Sequence, residues 1–317
     1  MLTTAALFEM FQDYSWSELW SILVMQGFAG FSLFSVFLLM ALGLAIIFGQ
    51  MKVINMAHGE FMTMGAYTTV LISTWTSRNF PDLMPYYFPF AMVMAFFVAF
   101  FAGYIVEYGF IRFLYKRPLD TLLATWGLSM ILQQIFRSTF GARETSAIIP
   151  DWLMGSWMPT DTLFIPLNGL FLLGCSVVMT GLIYLLLYRS RWGLRVRATV
   201  GDRAMAGATG INTAMTDRLT FALGCGTAGV AGAAFTTIGS VSPSAGQMYI
   251  VDTFLVVVFG GAGSLLGTIA SAFAIAQTQS ILEFFLAGVL AKVVTLTAVA
   301  VFLMLRPQGL VVAKIRR

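Results

Sequence analysis

Long apolar runs joined by short connections dominate this sequence and leave little choice of fold. Segments at roughly 22–48, 61–77, 88–111, 119–136, 164–188, 219–240 and 286–305 are each long and apolar enough to cross a bilayer. The stretch 250–283 is apolar too, but Gly260, Gly261, Gly263 and Gly267 interrupt it. Two shorter helices, 250–263 and 264–283, fit it better than one. A bilayer core needs about 20 residues per crossing, so the runs predict an all-α, polytopic membrane protein with about 8–10 transmembrane helices. Broken or re-entrant helices are expected among them. With 59% hydrophobic and only 10% charged residues, the chain has no room for a soluble catalytic domain, and residues 1–317 read as one transmembrane domain. Any fuel hydrolysis or extracellular capture then falls to other chains.

The basic residues set an orientation. Arg112, Lys116 and Arg117 flank one connection, and Arg189, Arg191, Arg195, Arg197, Arg203 and Arg218 fill another. Arg306, Lys314, Arg316 and Arg317 lie after the last apolar run. These ends are expected in the cytoplasm. The segments 78–87 and 137–163 hold only Arg78, Arg137 and Arg143 against Asp82, Glu144, Asp151 and Asp161, so they face outward. The first 21 residues carry three acids and no Lys or Arg. They lack the basic start of a cleavable signal peptide and read as an amphipathic lead-in on the outer face. An outer N-terminus and a cytoplasmic C-terminus require an odd number of crossings, and about nine satisfies it. The outer loop, about 137–163, is expected either to dock an external partner or to cover the bundle as an interfacial helix, with Trp152 and Trp157 at the interface.

Within the run Gly43 to Tyr67, Lys52, Asn55, His58 and Glu60 lie close together among Gly49, Gly59 and Gly65, with apolar sequence on both sides. Polar groups at membrane depth are costly and turn toward protein or a cavity. A helix break is therefore expected here, with these side chains either bonding the freed backbone or lining a polar path. His58 is the only histidine, and H-x-E without further ligands does not make a zinc site. Cys175 and Cys225 lie in apolar runs and read as buried small hydrophobes rather than a disulfide or metal site. No nucleophile and base pairing stands out, so catalytic residues and cofactors in this chain are expected to be none. The pI near 9.2 reflects charges collected on one membrane face, not nucleic-acid binding. Other intramembrane polar candidates are Thr125, Gln133, Gln134, Gln277, Gln279, Glu283 and Lys292, with Glu283 and Lys292 a potential ion pair.

The loop at about 189–218 also carries Ala204, Gly207, Ala208 and Gly210 at helical spacing. Small residues let a short helix seat closely in a partner's groove, while flanking arginines can pair with acids or anionic headgroups. Topology alone would account for the arginines but not for the small-residue spacing.

The run GLAIIFGQMKVINMAHGEFMTMGAY closely resembles the N-terminal signature of the branched-chain amino-acid permease family of ABC importers. The resemblance continues through PLDTLLATWGLSMILQQ, RWGLRVRATVGDRAMAGATGIN, VVVFGGAGSLLGT and RPQGL, covering nearly the whole chain. LATWGLSMILQQ, PDWLMG and GVLAKV are most similar to the urea-type permease subunit. The resemblance implies one permease domain in a multi-pass bacterial inner-membrane protein. It also implies a second homologous permease subunit, two ATPase subunits that carry ATP and Mg, and an extracytoplasmic solute-binding protein. It makes the loop a coupling element, with Asp202, Arg203, Ala204, Gly207 and Gly210 as the residues toward the ATPase. Asn55, His58, Glu60, Thr125, Gln133 and Gln134 become translocation-path candidates. Urea would need hydrogen-bond partners and no fixed charge; a branched-chain amino acid carries both an ammonium and a carboxylate. Urea is the expected substrate, with branched-chain or other amino acids as the alternative. A stand-alone small-solute channel is the reading of a different class.

Overall fold

The computed structural model describes residues 16–115, 117–160, 163–261, 263–286 and 288–311. The amphipathic lead-in expected over the first residues lies largely outside them. Among the described residues nine long helices carry the fold: α1 Trp16–Met51, α2 His58–Asn79, α3 Tyr87–Gly109, α4 Pro118–Phe140, α6 Leu167–Arg189, α9 Thr213–Phe235, α10 Ala245–Gly260, α11 Leu265–Phe285 and α12 Gly288–Leu305. Three short helices, α5 Asp151–Met154, α7 Arg191–Gly201 and α8 Arg203–Ala208, lie in the connections. The expected pair of helices in 250–283 is present, separated at Gly261 and Gly263, both with positive φ.

Five of these helices are long and apolar enough to cross a membrane by composition alone: α1, α3, α6, α11 and α12. Of the others, α2, α9 and α10 are buried against neighbouring helices over half or more of their length, while α4 is exposed over half of its length. α9 is a Gly- and Ala-rich helix buried over almost all of its length, between α1, α2 and α3. Its small residues set the spacing: a methyl at Gly232 would run into the Met62 carbonyl, and one at Gly65 would run into the Gly229 carbonyl. Backbones in contact recover dispersion energy that lipid-facing leucines cannot supply. α4 divides by face, with Leu119, Leu123, Met130 and Ile131 exposed and Thr121, Thr125 and Ser129 buried.

The all-α expectation needs one amendment outside the bundle. The loop expected to face outward forms the single turn α5 and then an antiparallel hairpin, β1 Ser156–Thr160 with β2 Leu163–Pro166, pairing Trp157 with Ile165. The expected span at 164–188 therefore starts as a strand, and the span expected at 219–240 starts at Thr213 and stops at Phe235. No long interfacial helix covers the bundle among the described residues. Instead the loop is pinned to it: Ser73 Oγ accepts from Ile148 N (2.9 Å), Trp152 Nε1 donates to Pro85 O (2.7 Å), and Thr145 pairs with Val241 through both backbone bonds.

Candidate functional site

The chain breaks after α1 because Lys52 takes a left-handed conformation, φ 52°, which side chains other than glycine adopt at a cost. Residues 53–57 then run back into the bundle, and α2 starts at His58, beside Met40 of α1. That is about three turns back along α1, so the connection is re-entrant rather than a surface loop. Asn55 Oδ1 accepts from Ala57 N (3.1 Å), Thr125 Oγ1 accepts from Met56 N (3.1 Å), and His58 Nε2 meets Met40 O at 3.2 Å. An unpaired backbone group in such a place would cost about 1–3 kcal/mol, and Asn55 and Thr125 remove that cost at two positions.

Glu60, in the first turn of α2, is fully buried. Its Oε1 accepts from Ser129 Oγ and from Gln133 Nε2, both at 2.8 Å, and Gln133 also donates to Gln247 Oε1 of α10 (3.2 Å). Glycines bring α10 in: Gly59 and Gly246 are so close that a side chain at either would strike the other's carbonyl, and Gly246 N donates to Thr63 Oγ1 (2.8 Å). Asn55 Nδ2, His58 Nδ1 and Glu60 Oε2 are buried with no hydrogen-bond partner among the described residues. Polar atoms buried without partners are rare in folded proteins, and three lie around one helix break. They can bond a polar solute without first giving up a bond to the protein.

Of the six residues expected to line a path, Asn55, His58, Glu60, Thr125 and Gln133 come together here. Gln134 does not: it neighbours Gln133 in sequence but lies about 100° further round α4 and is exposed. Ser129 was missed although it stands one turn before Gln133, the spacing that puts two side chains on one helix face. Gln247 carried no local signal, because only the glycine contact between α2 and α10 brings it in. Gln277 belongs elsewhere, donating to Gly27 O (3.2 Å). Glu283 and Lys292 do not pair: Lys292 Nζ lies 2.7 Å from Asp252 Oδ2 and donates to Met248 O (2.9 Å), while Glu283 accepts from Gln279 (3.0 Å). The buried Asp252 carboxylate, on the helix that α12 packs against, is the partner the lysine meets. Cys225 is fully buried, Cys175 is half-buried, and both are free thiols.

At the other end of α9 the arginine-rich connection folds into α7 and α8. Ser190 caps α7 by accepting from Gly193 N (2.9 Å). Asp202 caps α8 through Ala204 N (2.9 Å) and Met205 N (3.0 Å), and Gly210, φ 86°, ends it. Ala204, Gly207 and Gly210 are exposed, and a methyl added at Gly207 or Gly210 would meet nothing within 4 Å. Arg203 turns the other way and pairs with the buried Asp217 of α9, which also accepts from Gln50 Nε2 of α1 (3.2 Å). Arg218 pairs with Glu107 of α3 at 3.0 Å and lies over the Tyr108 ring (4.5 Å), and Tyr115 Oη donates to the same Glu107. Burial, with Glu107 beside it, pushes the Tyr115 phenol far above its ordinary pKa, keeping it a donor. The short helix α8 is thus joined to the last turn of α1, where the re-entrant segment starts, through one carboxylate.

Comparison with known proteins places this geometry. Residues 27–305 match the family model described as branched-chain amino acid transport system / permease component. The chain is 26% identical over 303 residues to the high-affinity branched-chain amino acid transport system permease protein LivH of Salmonella typhimurium (strain LT2), covering 93% of this chain and 97% of that one. It is 26% identical over 251 residues to BraD of Pseudomonas aeruginosa, named for the same transport system, covering 75% of this chain and 79% of that one. A probable branched-chain amino acid transport permease protein LivH of Methanocaldococcus jannaschii is 24% identical over 300 residues, covering 87% and 88%. No solved structure matches the chain significantly.

Proposed function

Because the chain belongs to the family of branched-chain amino acid transport permease components, we propose that it forms part of the membrane path of an importer for branched-chain amino acids. It is a transport subunit of an ATP-binding-cassette system rather than an enzyme. The observation that carries the path is the buried cluster of Asn55, His58, Glu60, Ser129 and Gln133 at the helix break, with three side-chain atoms left unbonded. A carboxylate suits an ammonium, and amides and hydroxyls suit a polar head.

One observation favours urea as a second reading. Among the described residues, the hydrogen bonds of the cluster involve one carboxylate, one imidazole, amides and hydroxyls, and no Lys or Arg to hold a substrate carboxylate. The deciding measurement is ATP hydrolysis by the assembled transporter with leucine against urea. Stimulation by leucine and not by urea supports the main reading, and the converse pattern replaces it with the urea reading.

The proposal extends to assembly. A second permease subunit, two ATPases carrying ATP and Mg, and an extracytoplasmic binding protein complete the importer, in a bacterial inner membrane. The N-terminus lies outside and the C-terminus in the cytoplasm, as the arginine distribution favours. The exposed face of α8, with Asp202, Ala204, Gly207 and Gly210, is the ATPase contact, and Arg203 acts inward through Asp217. Replacing Ala204 or Gly207 by Trp is expected to lower ATPase retention in a pull-down by tenfold or so, the effect of about 1.4 kcal/mol, with normal membrane insertion. Undiminished retention and uptake would sink the assignment.

A further inference from the structure

α6 packs along α1 and meets α3 where the Phe171 ring lies edge-on to Phe88 (centroids 5.7 Å), but over the rest of its length a groove of about 1010 Å³ separates it from α3 and α9 and opens on the outside of the bundle. The groove follows α6 almost from end to end, from Phe171 to Arg189, and reaches Ser190 at the start of α7, with Met92 and Phe96 of α3 as one wall and Leu223 and Val230 of α9 as its floor. Its lining is almost wholly apolar. The Thr227 hydroxyl is turned to Gly224 O (2.7 Å), and Ser190 Oγ is used by Gly193 N and Leu186 O.

One charged residue lines the groove, Arg189, at the end of α6 assigned above to the cytoplasmic face. Its guanidinium has no hydrogen-bond or ion-pair partner among the described residues. The neighbouring helix α7 continues the same character, with Leu194 62% exposed between Arg191 and Arg195, as a helix lying in a membrane interface does. A long apolar slot ending in one free cation at the headgroup level complements an amphiphile with an anionic head and acyl chains. Basic pockets between transmembrane helices on the cytoplasmic side recognise such heads.

We propose that this groove is a binding site for one anionic phospholipid of the inner leaflet, its chains lying along α6 and its phosphate on Arg189. The site rests on the orientation proposed above, but it is separate from the polar cluster and the solute path. It would fix the spacing between α6 and the α3–α9 pair, which side-chain packing leaves open.

The test uses the complete transporter with its partner subunits, delipidated in detergent and titrated with phosphatidylglycerol or phosphatidylcholine under native mass spectrometry. Phosphatidylglycerol should be retained preferentially, and Arg189→Gln should weaken that retention about fivefold. Gly174→Phe should also displace the lipid, since Gly174 lines the groove and a Cβ added there meets no protein atom within 4 Å. Cys175, which lines the groove, reports occupancy: its reaction with a membrane-soluble maleimide should slow with phosphatidylglycerol and not with phosphatidylcholine. Equal retention of both lipids, or unchanged retention in Arg189→Gln, would overturn the proposal. So would Cys175 being shielded by a partner subunit in lipid-free detergent. Orientation is read separately, by impermeant maleimide labelling of Arg191→Cys, in a chain lacking both native cysteines, from each side of vesicles.

Discussion

Among the described residues, Glu60 is held by hydroxyl and amide donors rather than by a cation, and only through one of its oxygens. Glu60→Gln keeps the size and an acceptor for Ser129 but removes the charge. Under the proposed function it should reduce leucine uptake by about tenfold or more, the effect of a lost charge-assisted hydrogen bond, with the complex still assembling. Uptake at the unaltered level would remove Glu60 from the path. Thr125→Val tests the scaffold instead: it strands the Met56 N–H and should cost about 1–3 kcal/mol, read as a lower unfolding temperature. Asn55, His58 and Glu60 were legible because they lie close together in an apolar run, and a polar cluster at membrane depth has few physical explanations. Ser129 and Gln247 were not, since each depends on where another helix stands. Gln134 misled because adjacent residues on a helix face different ways.

Among the elements, α8 presents small residues outward while its arginine reaches inward. Motion of α8 against a partner would act on Asp217, and through Gln50 on the end of α1, next to the re-entrant segment. Asp217→Asn should therefore lower the ratio of solute moved to ATP hydrolysed without loss of ATPase binding. A parallel fall in binding and uptake would mean that the carboxylate only holds α8 in shape. α9 offers a second test at this scale: Gly232→Ala places a methyl against the Met62 carbonyl and should destabilise the bundle by about 1–3 kcal/mol, visible as reduced yield and thermal stability. Both helix breaks were readable from glycines and misplaced polar residues. The hairpin after α5 was not, because a Trp-rich outer loop satisfies interfacial preferences equally well as helix or strand.

For the molecule as a whole, hydropathy foretold the number of long helices but not their surroundings. α2, α9 and α10 are too polar, too rich in small residues or too short to stand in lipid alone, and neighbours shelter them, while α4 hides Thr121, Thr125 and Ser129 on one face and exposes apolar side chains on the other. The proposed orientation rests on the arginines, and impermeant labelling checks it: a cysteine at Gly207 should react only from the cytoplasmic side and one at Trp157 only from outside, in a chain lacking Cys175 and Cys225. The reverse pattern would invert the proposed topology.

The last carbonyls of α10 have no partners within their own helix. Leu310 N donates to Phe259 O (2.7 Å) and Val311 N to Gly260 O (3.3 Å). Gly309, φ 75°, lets that strand of chain approach closely. During synthesis α10 leaves the ribosome well before these donors exist, so the glycine break is assembled only after α11 and α12 are in place. Closing it is a late step of biogenesis, and a chain stopped before Leu310 would present bare carbonyls to whatever surveys unfinished membrane proteins.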